Sequence, residues 1–279
     1  MTARTIRNAG LLGAAVLACA AALTTAYLNA GANEPWQHWR TLRMTTHSVP
    51  LLSGKIEMQL HDETSKSRLK TRTTARFFGI RVANSRTTTV IDAESGRTES
   101  YVMVSPKRGR RYTFGDTGYT VEKLKPLNGH DAPLEEWEIR STETFPYPVD
   151  EDGSAIAVFD YYGMLLQLRR TPLDKPGDEV TLHVATTRGP TPFRVRVAEA
   201  EATTWTYKDL AAQKERTVNL RRLRLRITPA DPERADEGFM KMEGETELWV
   251  EAGSKTLLRL SGKVPRVPGR VRLVLRELG

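Results

Sequence analysis

The residues best equipped for chemistry in this sequence are scattered. His38, His47, His61, His130 and His183 would be the first candidates for zinc or for acid–base work. None of them stands in an H-x-H or H-x-x-x-H pair, the spacings that bring two imidazoles onto one metal. Asp150-x-Asp152-Gly153 has the opening of a calcium loop without its third acidic position or closing glutamate, so an acidic turn is expected there. Glu135-Glu136 lie in loop-like sequence that fixes no separation for a carboxylate pair. No G-x-S-x-G, P-loop or G-x-G-x-x-G occurs, and the single cysteine is Cys19. The expectation is a protein with no catalytic residues, no metal site and no cofactor, and therefore not an enzyme.

Binding residues are easier to nominate. DYYGMLLQLRR, residues 160–170, spaces Tyr162, Leu165, Leu166 and Arg169 three and four apart, the pattern of one helix face. Asp160 is suited to the N-cap, and Arg169 and Arg170 fall at the end of the helix where positive charge is favoured. Tyr161, Tyr162, Leu165 and Leu166, joined by Trp205 and Trp249 from strand-like runs, form the expected ligand-contacting set. Trp249 falls on the polar parity of its strand. A second set, Lys107, Arg108, Arg110 and Arg111, sits in PKRGRR, where Gly109 suggests a hairpin tip. That set reads either as a solvated turn or as a contact for anionic headgroups and cell-wall polymers.

These residues need a scaffold, and the dominant period past Pro35 is two. Arg194 to Val197, the run through Met240, Met242, Thr246, Leu248 and Val250, and Val271, Leu273 and Leu275 all alternate polar with apolar, as half-wet antiparallel strands do. In VNLRRLRLRI the apolar parity changes across Arg221-Arg222, which places a β-bulge there. Turn residues recur at short intervals, and residues 126–153 read as a long excursion within one sheet system. At 279 residues, 39% hydrophobic and 27% charged, the chain has an ordinary globular composition.

The beginning of the chain is different material. Arg4 and Arg7 precede the uncharged stretch Ala9 to Leu28, and Ala30-Gly31-Ala32 comes next. Residues 1–32 therefore read as an export signal cleaved near Asn33, with an uncleaved anchor over residues 9–28 and lipidation at Cys19 as alternatives. Residues 33–279 read as a single domain in the periplasm or at the cell envelope. That body has no cysteine, so neither a disulfide nor a thiol nucleophile is available to it. Its basic residues are spread over strand-like segments, and export makes nucleic acid an unexpected partner. Nothing in the sequence fixes an oligomeric state.

VIDAESGRTESYVMVSPKRGRRYTF (90–114), DYYGMLLQLRRTPLDKPGDEVTLHV (160–184) and LWVEAGSKTLLRLSGKVPRVPGRVRLVL (248–275) together resemble the exported family of Gram-negative bacteria catalogued as domain of unknown function 3108. The resemblance runs from about Phe77 to Leu278. Tyr162-Gly163 stands where the family usually has Ser shortly after the aspartate, and Leu257-Leu258 where it usually has Pro. The resemblance implies an all-β fold, a curved antiparallel sheet or half-open barrel with one short covering helix, similar in outline to periplasmic lipoprotein carriers. It implies no established activity.

The expected role is therefore non-catalytic: binding a lipid-like apolar or amphiphilic molecule in the concave face, under the helix. The alternative is a structural or interaction module with a filled core, whose basic surface meets anionic envelope polymers or a partner protein.

Overall fold

Side chains that alternate in polarity between closely spaced turns give a chain that pairs with its own next segment. The computed structural model describes residues 36, 38–49, 52–128, 132–231, 238–265, 267 and 269–279. The expected signal, anchor and lipidation site lie outside these residues. Two compact units are present, Met1–His38 and Trp39–Gly279. Only Trp36 and His38 are described in the first, and every strand of the sheet belongs to the second.

The second unit begins with a meander: β1 (Thr41–Val49), β2 (Leu52–Asp62), β3 (Lys66–Phe77), β4 (Ile80–Asp92), β5 (Thr98–Ser105), β6 (Arg108–Phe114), β7 (Gly118–Lys125) and β8 (Glu138–Pro146). Each of these strands pairs antiparallel with the next. A two-residue strand β9 (Val158–Phe159) leads into the helix α1 (Tyr161–Gln167), which ends in a 3₁₀ turn, Leu168–Arg170. A second meander comes after it: β10 (Glu179–Thr186), β11 (Gly189–Asp209), β12 (Lys214–Pro229), β13 (Glu243–Glu251), β14 (Leu257–Lys263) and β15 (Arg270–Leu278). Antiparallel pairing of β1 with β15 joins the meanders into one 15-stranded sheet among the described residues, with β8 and β9 at its edges. The expected all-β curved sheet with one short helix is the observed fold.

The second meander also closes on itself. Lys208 and Asp209 of β11 pair in parallel with Glu277 and Leu278 of β15, and Leu210 N–H donates to the Leu278 carbonyl at 2.8 Å. Hydrogen bonding thus passes from β11 through β12, β13, β14 and β15 and returns to β11. The first meander keeps an open edge at β8, so the unit is a half-open barrel.

Two details differ from the sequence reading. The register shift lies on β11, between Val197 and Glu199, while β12 pairs without interruption through Arg221 and Arg222. Leu220 and Leu223 are both buried although they lie on opposite faces, because the far end of the β11–β12 hairpin is covered on its other side. The parity change therefore marks a change of buried face, with the extra residue on the partner strand. Likewise, Met240 does not extend β13. Met240 and Lys241 adopt left-handed backbone (φ 53° and 63°) in a 3₁₀ turn, Phe239–Lys241, ahead of Glu243.

Phe193, Val195, Val197, Leu223, Leu225, Ile227 and Leu248 are all 0% exposed. Burying one such side chain contributes about 1.5–3 kcal/mol. Side chains this fully buried have no water-sized space beside them, so this part of the interior is packed.

Candidate functional site

The helix α1 is placed by Asp160. Its Oδ1 accepts the Tyr162 N–H at 2.9 Å, the N-cap bond expected from the sequence. The same carboxylate accepts the Thr89 hydroxyl of β4 at 3.0 Å and the Thr98 hydroxyl of β5 at 3.2 Å. Asp160 comes directly after β9, at the edge of the second meander, so this one side chain ties that edge to the first. Burial is complete and pushes its carboxyl up to about 6, against the pull of the Tyr162 N–H, the Thr89 hydroxyl, the Gly163 N–H and the Thr98 hydroxyl. A Cβ on Gly163 would overlap the Thr98 hydroxyl and stand 2.9 Å from Asp160 Oδ2. Glycine here is the condition for that network.

Four tyrosines form a chain of ring contacts that starts at the helix. The Tyr101 and Tyr112 rings lie 5.3 Å apart, Tyr101 and Tyr162 lie 6.3 Å apart, and Tyr119 stacks on Tyr112 at 6.3 Å. Burial raises the Tyr162 phenol above its ordinary value, while the hydroxyls of Thr73, Thr87 and Thr71 partly offset the rise.

The six residues expected to contact a ligand are not brought together. In α1 the buried side chains are Tyr162 and Met164, followed by Leu168 in the 3₁₀ turn; Leu165 and Leu166 are half-buried. The helix turns Met164 inward and leaves the two leucines at its margin. Leu166 borders a cavity of about 260 Å³ shared with Leu60, Asp62, Ile91, Arg169 and Arg170. Tyr161 borders another, and its ring meets Phe239 edge-on at 5.5 Å. Trp205 is half-buried on β11 and lines neither cavity. Trp249 is only 7% exposed although it faces away from Leu248 and Val250, because guanidinium groups cover it: Arg222 at 4.1 Å and Arg259 at 4.2 Å from the ring centre. It is packed by cations, an arrangement that stabilises the sheet's outer face.

The basic set is split as well. The turn runs Ser105 to Arg108, with Pro106 and Lys107 at its tip. Gly109 is inside β6, where the Trp137 indole would stand 3.0 Å from any added Cβ, so it makes room for that ring and is not a hairpin tip. Strand alternation then sends Arg111 to an ion pair with Glu122 and places Arg110 beside Tyr112 on the opposite face. Lys107 and Arg108 remain exposed at the turn.

Arg110 leads to the most distinctive feature of the barrel seam, a half-open cavity of about 200 Å³. Its walls are Arg110 and Tyr112 from β6, Tyr161 from α1, Thr186, Thr187 and Arg188 from the β10–β11 connection, and Gly238 and Lys241. Among the described residues no carboxylate lines it. Partial burial, reinforced by the positive charges of Arg110 and Arg108, pulls the Lys241 ammonium down to about 8. Cations held together with hydroxyls suit an anion, and the two tyrosine rings beside them suit an apolar group. The sequence reading found Arg110 and Tyr161 but missed Lys241, Arg188, Thr186 and Thr187. These come from separate segments, and the left-handed turn that sets Lys241 at the cavity's edge leaves no mark in the alternation pattern. Among the described residues no three His, Cys, Asp or Glu side chains are grouped to hold a metal ion.

Comparison with known proteins places this geometry in context. The family described as protein of unknown function (DUF3108) matches residues 41–275. No curated protein matches the chain. Among solved structures the chain is similar to a beta-barrel-like protein of domain of unknown function DUF1849 from Brucella abortus, with 10% identity and a TM-score of 0.48. The similarity covers 85% of this chain and 95% of that one.

Proposed function

The chain belongs to this family of proteins of unknown function, and from that premise we propose that it is a non-catalytic, exported protein of the cell envelope that binds an anionic amphiphile. The observation that carries the reading is the cavity of about 200 Å³ in which Arg110, Arg188 and Lys241 converge beside Tyr112 and Tyr161. Its volume suits a headgroup and not an acyl chain, so the apolar part lies outside, against the rim of α1. The concave face itself is occupied by side chains at 0% exposure, which moves the ligand from under the helix to its margin.

The same filled interior favours a second reading, an interaction module whose basic surface meets envelope polymers or a partner protein. One titration separates the two. Dodecyl phosphate below its micelle concentration is expected to bind saturably and to weaken about tenfold or more in Arg110→Ser and in Lys241→Ser, as the loss of a charge-assisted hydrogen bond implies. Equal affinity in the parent and both variants would leave only the interaction module.

A further inference from the structure

We propose that the β3–β4 hairpin is a membrane-docking tip: Phe78 and Ile80 enter the interfacial layer of a bilayer rich in anionic lipid, while Arg76, Arg81 and Lys55 receive headgroup phosphates. Phe78 is 62% and Ile80 70% exposed at the end of this hairpin. The turn between the strands has positive φ at both central residues, Phe78 at 51° and Gly79 at 76°. Asn-Gly is the usual choice for that geometry, because an aromatic residue in the left-handed region is strained. The phenylalanine ring at this position is turned out to solvent.

The charges beside the tip point to the same partner. Register places Arg76 directly opposite Arg81, and like charges across an antiparallel pair repel. From Lys66 to Ile91 there are seven basic residues and no acidic one, and of these Lys66 pairs with Glu99 and Arg68 with Glu63 at the far end from the tip. Glu57 faces Arg72 from β2, but its carboxylate is held by Arg43 at 3.0 Å and by Lys55 at 3.4 Å. Immediately behind the tip, Arg76, Arg81 and Lys55 border a shallow cavity of about 350 Å³ with Thr45, Ser53 and Thr74. Apolar side chains projecting ahead of a ring of cations and hydroxyls match the order of layers in a bilayer, acyl chains beyond phosphates. This inference does not rest on the basic cavity beside α1.

The test places an environment-sensitive nitrobenzoxadiazole probe on the thiol of Phe78→Cys in the full chain, with Cys19→Ser removing the other thiol. Mixing with phosphatidylcholine vesicles containing about one-third phosphatidylglycerol should shift the emission to the blue, and lipids quenched at the acyl level should reduce it. Arg76→Ser with Arg81→Ser should weaken binding about 30-fold at low salt, the product of two charges each worth about five- to sixfold near such a surface. A probe that stays in a water-like environment while the protein floats with the vesicles would show attachment through another segment and overturn the proposal. Absence of flotation would also overturn it. So would a blue shift that depends on protein concentration without vesicles, which would assign the tip to a second copy of the chain.

Discussion

The Tyr119 hydroxyl donates to the Thr186 carbonyl at 3.0 Å and accepts the Thr186 N–H at 3.2 Å. Tyr119 belongs to β7, next to the free edge at β8, and Thr186 ends β10, next to the other edge at β9. One phenol thus bridges the two flanks of a sheet that, among the described residues, no main-chain ladder joins there. Phe145 of β8 adds contact beside it, 3.5 Å from where a side chain on Gly189 would begin.

Tyr119→Phe should therefore cost about 1–3 kcal/mol, because it strands two buried backbone groups while keeping the ring. Urea denaturation measures the loss. Amide exchange at Thr186 should rise more than at Val195, and equal exchange at both would refute the bridging role.

Asp160 should give stability a distinctive pH limb. Its folded carboxyl titrates near 6, above the 3.8 of the free group, so the protonated form is the one the fold prefers. Below that unfolded value its contribution is fully present. As pH rises from about 4 to about 6 the unfolded chain releases this proton first, and stability falls by up to about 3 kcal/mol before levelling. Asp160→Asn lacks that limb, so the two denaturation curves should converge toward low pH. Parallel curves from pH 4 to 7 would remove the carboxyl from the account.

The helix is a wall of the core more than a lid. Met164 and Leu168 are 0% and 1% exposed, so Met164→Ala should cost about 2–5 kcal/mol, comparable to Leu225→Ala in the sheet. Leu165→Ala, at the half-buried margin, should cost about 1 kcal/mol or less. Chemical denaturation of the three variants reveals the order, and a small loss at Met164 would restore the lid.

Trp249 and its arginines form a separable unit. A double-mutant cycle between Arg222→Ala and Trp249→Leu should return a coupling of about 0.5–1 kcal/mol, the worth of one stacked guanidinium. Zero coupling would mean that the geometry is incidental.

Lys241 supplies a pH dependence to anion binding. Since its ammonium loses its proton near 8, dodecyl phosphate affinity should fall as pH rises from 7 to 9, and Lys241→Arg should extend binding to higher pH. A pH-independent affinity over that range would exclude this side chain from the site.

Much of the scaffold was legible because period-two alternation is written residue by residue: Val195, Val197, Leu248 and Val250 are buried as their parity requires. The Asp160 cap was legible because capping is local. Gly109 misled because a glycine in a basic turn and a glycine under an indole look alike until Trp137, 28 positions later, is folded onto it. The basic cavity was hidden for the same reason, its walls arriving from β6, α1, the β10–β11 connection and the Lys241 turn. Phe78 and Ile80 were silent because exposed apolar residues share the alphabet of buried ones.

The β1–β15 seam also sets an order of events. Each meander grows by hairpins between neighbours in sequence, which close quickly, whereas Arg43 and its partner Glu277 are 234 positions apart. The central pair of the sheet is therefore its least local one, and the closed circuit of β11–β15 waits on the same final strand. A chain emerging from its N-terminus holds β1 with one side unpaired until Arg270 to Leu278 arrives. During that interval β1 is an open edge, exposed to proteases and to pairing with other chains. Arrival of β15 thus ends the exposure of β1, and pulse proteolysis of chains arrested before and after it would time that moment.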